Sequence, residues 1–182
     1  MPISPLAPKS FPEMPNVPGV QISVANSGMR YENRNDLCLF TMDEGTTVAG
    51  TFTKSLCPSA PVDWCKTNLE HSEARALVCN AGNANAFTGN KGEQITMESA
   101  TSLSTILSIP KEHIYLASTG VIGETFEPYE LTSCFGQMSK ELGQSGPAAW
   151  LEAAQAITTT DTFPKGATAK VHGTDAVVVG IA

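Results

Sequence analysis

Hydrophobic and polar positions alternate along several short stretches of the chain, each rich in β-branched residues and bounded by Gly, Asn or Asp. Alternation with a period of two is typical of a half-buried strand, whereas spacing by three and four is typical of a helix. On this basis we predict six strands: Val20–Ala25, Asp36–Met42, Thr46–Thr53, Ala76–Asn80, Ile114–Ser118 and Ala176–Ile181. A large part of the structure should therefore be sheet.

Helical spacing appears in three later segments, where apolar residues recur every three or four positions. The segments are Gln94–Ser108, Pro128–Leu142 and Gly146–Ile157. The last of them has Pro147 at the first helical position, where the fixed φ of proline fits a helix. Because strands come first and then alternate with helices, we predict a mixed α/β domain and not an all-β sandwich.

Proline is concentrated at the N-terminus, where six of the 12 prolines lie within residues 1–18. Proline fixes φ and lacks a backbone donor, so this segment cannot form a regular helix or a central strand. We therefore divide the chain into an extended Pro-rich segment, residues 1–18, and an α/β domain, residues 19–182. The segment is a packed or frayed terminus, with a targeting or partner-binding role as the alternative. At the other end, the apolar run 177–182 predicts that the chain is one part of something larger.

The charge of the chain excludes one class of partner. It carries 11 Lys and Arg against 18 Asp and Glu, a formal net charge of −7. Non-specific nucleic-acid binding needs clustered basic residues, so we expect no nucleic-acid partner. Hydrophobic residues make up 41% of the chain and charged residues 16%, which is enough apolar surface for a core and too little charge for a disordered chain.

Our expectations for localisation and metal binding rest on sequence features that we do not find. We find neither the run of roughly 18 to 20 apolar residues that crosses a bilayer nor the pattern of a signal peptide, and expect no membrane contact. Five cysteines without a CxxC pair favour reduced thiols and a cytoplasmic protein, or a mitochondrial-matrix protein in a eukaryote. Since His71, His113 and His172 are scattered singly, we expect no metal site.

Four clusters of small polar residues interrupt the apolar pattern, and the first is the loop 80–89, Asn-Ala-Gly-Asn-Ala-Asn-Ala-Phe-Thr-Gly. Gly and Asn tolerate left-handed backbone and bring amides close to a ligand, so this loop is either a candidate site or a purely structural turn. It is not a phosphate-binding P-loop, because Lys91 does not directly follow the second glycine and no Ser or Thr succeeds it.

The second cluster, residues 118–123, reads Ser-Thr-Gly-Val-Ile-Gly and follows a predicted strand. A hydroxyl beside a glycine amide can direct two donors at a developing oxyanion, as acyl transfer requires, although any tight turn can have this sequence. The third cluster, residues 158–165, supplies four hydroxyls, a carboxylate and an amine, which suit either a polar substrate or a simple helix end. The fourth joins Phe52–Ser55 to Ala60–Val62 and is also consistent with a strand end. With no Ser-His-Asp arrangement and no carboxylate pair at suggestive spacing, we expect the nucleophile elsewhere.

Taken together, the four clusters closely resemble, in order and spacing, the bifunctional ornithine acetyltransferases of arginine biosynthesis, the ArgJ family. The resemblance extends from Gly19 to Ala182. It implies a layered α/β/β/α sandwich that is completed by a β chain cut from the same precursor. It also implies an (αβ)₂ heterotetramer in which the nucleophile is the N-terminal Thr of that β chain.

The same resemblance implies the activity and the residues involved. The enzyme would move acetyl from N-acetylornithine to the β-chain Thr and then to glutamate, releasing ornithine, with acetyl-CoA as a possible co-substrate and no other cofactor. Thr119 and Gly120 match the oxyanion pair of the family, and Thr159 matches a substrate-binding position. Thr158 stands where relatives often have an apolar residue, so a register shifted by one is an alternative. A same-fold acyltransferase or amino-terminal peptidase with another substrate, or a non-catalytic binding domain, is the competing hypothesis.

Overall fold

The computed structural model describes residues 2–182 and contains one five-stranded sheet, one two-stranded sheet and four α-helices. The strands are β1 Val20–Ala25, β2 Leu37–Met42, β3 Ala76–Asn83, β4 Ile114–Val121, β5 Gly143–Gln144, β6 Gly166–Lys170 and β7 Val177–Ile181. The helices are α1 Ala60–Asn68, α2 Gly89–Leu107, α3 Tyr129–Lys140 and α4 Pro147–Ala156. The mixed α/β fold predicted from the sequence is confirmed.

The larger sheet has the order β4-β3-β2-β1-β5. Strands β1, β2 and β3 pair antiparallel, whereas β3 and β4 pair parallel. A parallel pair needs a long crossover connection, and α2 supplies it. The carboxyl ends of β3 and β4 therefore lie side by side at one end of the sheet.

Each face of this sheet has its own apolar core, because successive side chains along a strand point to opposite faces. On one face, Leu39 and Val78 pack against α2 and α3, where Phe135 is fully buried. On the other face, Phe40 packs against α4, with its ring centroid 6.0 Å from that of Trp150. The sheet is thus enclosed between helices over β1 and β2.

The N-terminal segment contains no helix or strand in residues 2–18 and packs along α4. Met14 is fully buried in the core beside Trp150, whose indole N–H donates to the carbonyl of Pro15 at 2.9 Å. The amide of Ser4 donates to the hydroxyl of Thr162 at 3.0 Å. The segment therefore contacts the domain at Ser4 and around Met14, whereas Ile3 and Leu6 are exposed, and the division of the chain at residue 18 stays a prediction.

Helix α1, which we did not predict, covers the outer edge of β4. The indole N–H of Trp64 donates to the carbonyl of Ile114 at 2.8 Å, and the thiol of Cys65 donates to the carbonyl of Leu116 at 3.2 Å. These bonds satisfy edge carbonyls that would otherwise need water or another strand. The sequence signal for this helix is Pro61 in its first turn.

The predicted strand Thr46–Thr53 is wrong. This stretch forms only an isolated bridge between Thr47 and Glu73, although it contains the β-branched residues that favour strands. Its backbone bonds instead to the segment before β3: the amide of Val48 donates to the carbonyl of Ser72 at 3.2 Å, and the carbonyl of Thr46 accepts from the amide of Ala74 at 3.0 Å. Strand propensity is realised only where a neighbouring strand exists.

Strand β1 is found at its predicted residues, and the other predicted elements are found with shifted ends. Helix α2 begins at Gly89 rather than Gln94, because the buried polar residues before it, described below, fix its first turn. Strands β5 and β6 were not predicted, because each is short and poor in β-branched residues. Strand β5 pairs with β1, far along the chain, and β6 pairs with β7 across a turn. None of the helices within residues 2–182 is long and apolar enough to cross a membrane.

All five cysteines are free thiols, and they differ in exposure. Cys57 is exposed, whereas burial raises the pKa of Cys38 and raises the pKa of Cys79 to about 12. Burial also raises the pKa of Cys65 and of Cys134. The thiolate is the reactive form, so burial and a raised pKa both slow alkylation.

We expect alkylation of the native protein at pH 8 to modify Cys57 first and Cys38 last, because only Cys57 is exposed and Cys38 is fully buried. In denaturant without reductant, all five cysteines should react. Peptide mass spectrometry after timed iodoacetamide treatment measures both. A cysteine that reacts in denaturant only after reduction would contradict the free-thiol structure.

Candidate active site at the ends of strands β3 and β4

Two of the polar clusters lie next to each other where the parallel strands end. Residues 80–82 of β3 pair with residues 118–120 of β4. The strands run further than predicted, to Asn83 and Val121, so both clusters begin within the sheet and not in loops. The register shifts at Gly82 and Asn83, which marks a β-bulge on β3. Bulges of this kind are frequent beside active sites because they redirect the residues that follow.

Glycine is required at both positions of the pair Gly82 and Gly120. Gly82 has φ 105° and Gly120 has φ 137°, values that L-residues rarely adopt. A Cβ atom built on Gly120 would lie 2.5 Å from the backbone nitrogen of Asn83. The two backbones can therefore approach as closely as they do only because Gly120 carries no side chain, whereas Gly82 is required by its positive φ and by the Arg30 side chain, 3.1 Å from its Cβ position.

The backbone of β4 alternates between its neighbour β3 and its outer edge. The carbonyls of Ile114 and Leu116 point to the outer edge, since both accept hydrogen bonds from side chains of α1. The carbonyl of Val121 points to β3, since it accepts from the amide of Ala84 at 2.9 Å. The alternation therefore directs the amide of Gly120 to the outer edge, beyond the part that α1 covers.

The side chain of Thr119 lies on the face of β4 that carries Tyr115 and Ala117, and it is half-buried. On this face an apolar groove of about 320 Å³ separates the sheet from α1 and the segment before it. The groove is lined by residues that include Met42, Val48, Phe52, Leu77, Tyr115 and Ala117. Thr119 is the next residue of the same row, which places it beyond Ala117 at one end of the groove, beside the exposed residue Gly120.

A network of buried asparagines underlies this strand end. The hydroxyl of Ser118 donates to Oδ1 of Asn80 at 2.6 Å, and Nδ2 of Asn80 donates to the carbonyl of Asn83 at 2.9 Å. Nδ2 of Asn83 donates to the carbonyl of Glu124 at 2.9 Å, and its Oδ1 accepts from the amide of Asn85 at 2.7 Å. The sequence indicated a polar cluster here but gave none of these partners, because Ser118 is far from Asn80 along the chain.

Asn85 extends the network into the first turn of α2. It has φ 45°, and its Nδ2 donates to the carbonyl of Gly92 at 3.0 Å and to the hydroxyl of Thr96 at 3.1 Å. The hydroxyl of Thr88 donates to its Oδ1 at 2.8 Å. Phe87 follows with φ 56° and a largely exposed ring. The start of α2 is therefore fixed to the strand ends by side-chain hydrogen bonds.

The third polar cluster follows α4 and is held by Arg34. Nη2 of Arg34 donates to the carbonyl of Gln155 at 3.2 Å and to that of Thr158 at 2.6 Å, and its guanidinium lies 4.3 Å from the ring centroid of Tyr31. Thr159, the predicted substrate-binding residue, comes next and is half-buried in an irregular segment. These hydrogen bonds fix the last turn of α4 and the residues that follow it.

Two further residues shape the end of this segment. Asp161 and Lys165 form an ion pair, and the hydrogen bond from Lys165 lowers the pKa of the Asp161 carboxyl. The amide of Ser4 bonds the hydroxyl of Thr162, so the N-terminal segment also reaches this cluster. The fourth cluster reaches the site at two points, because the amide of Ala60 donates to the carbonyl of Asn85 at 3.2 Å and Phe52 lines the groove, whereas Thr53 and Lys54 are exposed in an irregular segment.

No hydrogen bond within residues 2–182 joins Thr119 to Thr159. The connection between β1 and β2 links their surroundings, because it carries both Arg34 and Tyr31. A Cβ atom on Gly82 would lie 3.4 Å from the Tyr31 ring, so this connection touches the bulge at one point and α4 at another. The role of Thr159 stays a prediction. Within the same described residues, no three His, Cys, Asp or Glu side chains are placed to hold a metal ion.

We expect Gly120→Ala to lower the melting temperature of the protein, because the added methyl meets the backbone of Gly82 and Asn83 and the residue must keep a positive φ. The cost should exceed the roughly 1 to 2 kcal/mol of a strained φ alone. Gly136→Ala in α3 is the matched control, since no heavy atom lies within 4 Å of its added Cβ and alanine favours a helix. Equal melting temperatures for the two variants in a thermal unfolding scan would contradict the close approach.

Comparison with known proteins gives a consistent result. The profile of the ArgJ family matches residues 21–182. The arginine biosynthesis bifunctional protein ArgJ of Bradyrhizobium diazoefficiens is 51% identical over 93% of this chain, and that of Mesorhizobium japonicum is 49% identical over 98%. The matches cover 40% and 43% of those two proteins, so the chain spans about two fifths of the length of these curated relatives.

Solved structures agree with the sequence comparison. An ornithine acetyltransferase from Mycobacterium tuberculosis, solved in complex with ornithine, superposes with a TM-score of 0.84 at 29% identity and covers 91% of this chain and 88% of its own. The ArgJ protein of Bacillus halodurans has a TM-score of 0.79 at 24% identity, with 91% and 86% covered, and supports the fold alone. With its family profile, its curated relatives and its fold in agreement, the chain belongs to the ArgJ family.

Proposed function

We propose that this chain forms the oxyanion half of a glutamate N-acetyltransferase, which moves acetyl from N-acetylornithine to glutamate in arginine biosynthesis. The observation that carries the proposal is the pair Thr119 and Gly120 at the end of β4, with a half-buried hydroxyl and an amide directed to the open edge. Its relatives are named arginine biosynthesis bifunctional proteins, and the similar enzyme of Mycobacterium tuberculosis binds ornithine. A donor pair without a nucleophile fits a chain that supplies only part of an active site.

A partner chain would supply the rest. This chain spans about two fifths of its relatives, and the apolar groove beside Thr119 is open to a partner. The partner would be a β chain from the same precursor, beginning with Thr and packing on this face, and two such pairs would form an (αβ)₂ heterotetramer. Exposed apolar residues of the β6–β7 hairpin, Val177 and Val178, support further contacts on assembly.

The first half-reaction forms an acetyl ester. The hydroxyl of the terminal Thr attacks the acetyl carbonyl of N-acetylornithine, and the α-amino group of the same residue, with a pKa of about 8, takes the hydroxyl proton. The carbonyl oxygen becomes an oxyanion that accepts hydrogen bonds from the Thr119 hydroxyl and the Gly120 amide. The C–N bond then breaks, ornithine leaves with the proton on its amine, and the acetyl group stays on Thr.

The second half-reaction reverses these steps with another amine. The amine of glutamate attacks the acetyl ester, the same two donors stabilise the second oxyanion, and N-acetylglutamate leaves as the Thr hydroxyl is restored. Since the acetyl group is conserved, acetyl-CoA is required only if the enzyme also makes N-acetylglutamate de novo. We place the reaction in the cytoplasm and propose that it uses no metal or other cofactor. We assign the binding of the amino-acid part of the substrate to Thr159.

The proposal is tested by trapping the intermediate. Purified enzyme, mixed with N-acetylornithine and no acceptor, should release ornithine and gain one acetyl group on the first residue of the partner chain. Adding glutamate should then remove the acetyl group and yield N-acetylglutamate. Intact-mass and peptide mass spectrometry follow each step, and the absence of both a co-purifying chain and an acetyl adduct would contradict the proposal.

We expect Thr119→Ala to lower kcat by roughly 10² or more while KM changes little, because the lost hydroxyl bonds the oxyanion and not the ground state. Thr119→Ser keeps the hydroxyl and should retain most of the rate. Thr41→Ala, which removes another half-buried threonine from the same sheet, is the matched control and should leave kcat unchanged. The measurement is steady-state kinetics on enzyme in which the precursor is fully cleaved. A kcat for Thr119→Ala within about threefold of wild type would remove this residue from the mechanism.

Thr159→Ala should behave differently, raising KM several-fold at a nearly constant kcat, because a contact made equally in the ground state and the transition state acts on binding. Thr158→Ala tests the register, since the hydroxyl of Thr158 bonds the carbonyl of Gln155 at 2.8 Å and should play no part in binding. Substrate-saturation curves for both variants provide the measurement. A KM effect confined to Thr158→Ala would shift the assignment by one residue.

A further inference from the structure

We propose that Asn80 is a positioning residue for the oxyanion pair, fixing the Gly120 amide and the Thr119 hydroxyl through the bulge of β3. This inference rests on the proposed function. Asn80 is 4% exposed and lies in the polar cluster 80–89, to which the proposed reaction assigns no part. Its carboxamide bonds Asn83 and Ser118 and makes no hydrogen bond to Thr119 or Gly120, so it would act through the backbone that it holds.

The Asn80 carboxamide bridges two strands with its two ends. Its Nδ2 donates to the carbonyl of Asn83 at 2.9 Å, which spans the bulge within β3. Its Oδ1 accepts from the hydroxyl of Ser118 at 2.6 Å, which ties the same bulge to β4 at the residue before Thr119. One side chain therefore fixes the bulge to the strand that carries the oxyanion pair.

The bulge in turn sets where Gly120 lies. Gly120 pairs with Gly82, and its α-carbon has no room for a substituent against the backbone of Gly82 and Asn83. A shift of the bulge therefore shifts Gly120, and Thr119 moves with it because Ser118 is tied to the same carboxamide. Oxyanion donors act within about 2.7 to 3.1 Å, and a misplacement of about 1 Å can lower a rate by 10².

The chemistry of the site requires an amide at position 80. An aspartate would still accept from Ser118 but would present a carboxylate to the carbonyl of Asn83, which repels it. A leucine would leave the Asn83 carbonyl and the Ser118 hydroxyl without these partners in a buried place. Only a side chain with one donor end and one acceptor end satisfies both strands, which explains an asparagine among the apolar residues Val78 and Leu116.

The test compares Asn80→Ala with Asn68→Ala in the whole enzyme, including its partner chain. Asn68 is the matched control, because it is 3% exposed and also binds a backbone carbonyl, that of Ile114 at the opposite end of β4. We expect Asn80→Ala to lower kcat by about 10- to 100-fold with KM within about threefold of wild type, and Asn68→Ala to leave both unchanged. Hydrogen exchange of the peptide containing residues 114–123 should accelerate at its carboxyl end in Asn80→Ala alone.

A milder pair keeps the test decisive if Asn80→Ala does not fold. Ser118→Ala removes only the donor to Oδ1 of Asn80, whereas Ser118→Thr keeps a hydroxyl and suits a strand. We expect Ser118→Ala to lower kcat by about tenfold and Ser118→Thr to restore most of it. Loss of kcat with faster exchange near Gly120, restored by threonine, would support the positioning role.

The contrary outcomes are distinct. If wild-type enzyme transfers acetyl but Asn80→Ala and Ser118→Ala keep kcat within about threefold of it, Asn80 does not position the pair and the proposed function stands. Equal losses of kcat in Asn80→Ala and Asn68→Ala would mean a general effect of stability and would also overturn the inference. If wild-type enzyme shows no acetyl transfer at all, the proposed function fails, and the positioning role fails with it.

Discussion

The close approach of two backbones, at Gly82 on β3 and Gly120 on β4, is the constraint on which the rest of the site depends. Parallel strands bring their carboxyl ends to one edge, but an ordinary pair would keep a Cβ on each residue. The missing side chain of Gly120 lets the bulge of β3 lie against β4, the positive φ of Gly82 allows that bulge, and the Gly120 amide is left at the outer edge. The identity of Gly120 is thus explained by packing, and any catalytic role belongs to its amide.

Around this contact, polar side chains fill the buried space that apolar side chains fill elsewhere in the sheet. Between β2 and α3 the core is filled by aliphatic and aromatic side chains, but at the ends of β3 and β4 the buried volume is filled by asparagines and hydroxyls. An irregular backbone exposes donors and acceptors that a ladder would have paired, and Asn80, Asn83 and Asn85 pair them. A directional network of this kind holds one geometry, whereas an apolar core tolerates small shifts.

Periodicity in the sequence predicted elements whose neighbours are local or whose burial is complete. Strand β1 was predicted at its observed residues, and the apolar stripe of α3 is the one that packs on the sheet. The failures depended on strand pairing: the stretch 46–53 has the residues of a strand but forms only an isolated bridge, and β6 is a strand only because β7 pairs with it across a turn. Likewise, the positions of Thr119 and Gly120 could be proposed from a motif, whereas the bond between Ser118 and Asn80 depends on the register of β3 and β4.

Helix α1 also limits how the edge strand β4 can pair with another chain. An exposed edge strand is a template on which other chains can add strands and aggregate. Trp64, Cys65 and Asn68 occupy the outward carbonyls of Ile114 and Leu116, so the template on β4 is reduced to its last few residues. The Gly120 amide lies on that short remnant, which is shorter than the roughly six residues of a fibril-forming segment. The folded chain can thus leave the Gly120 amide uncovered and still offer little of that edge for a second chain to add a strand.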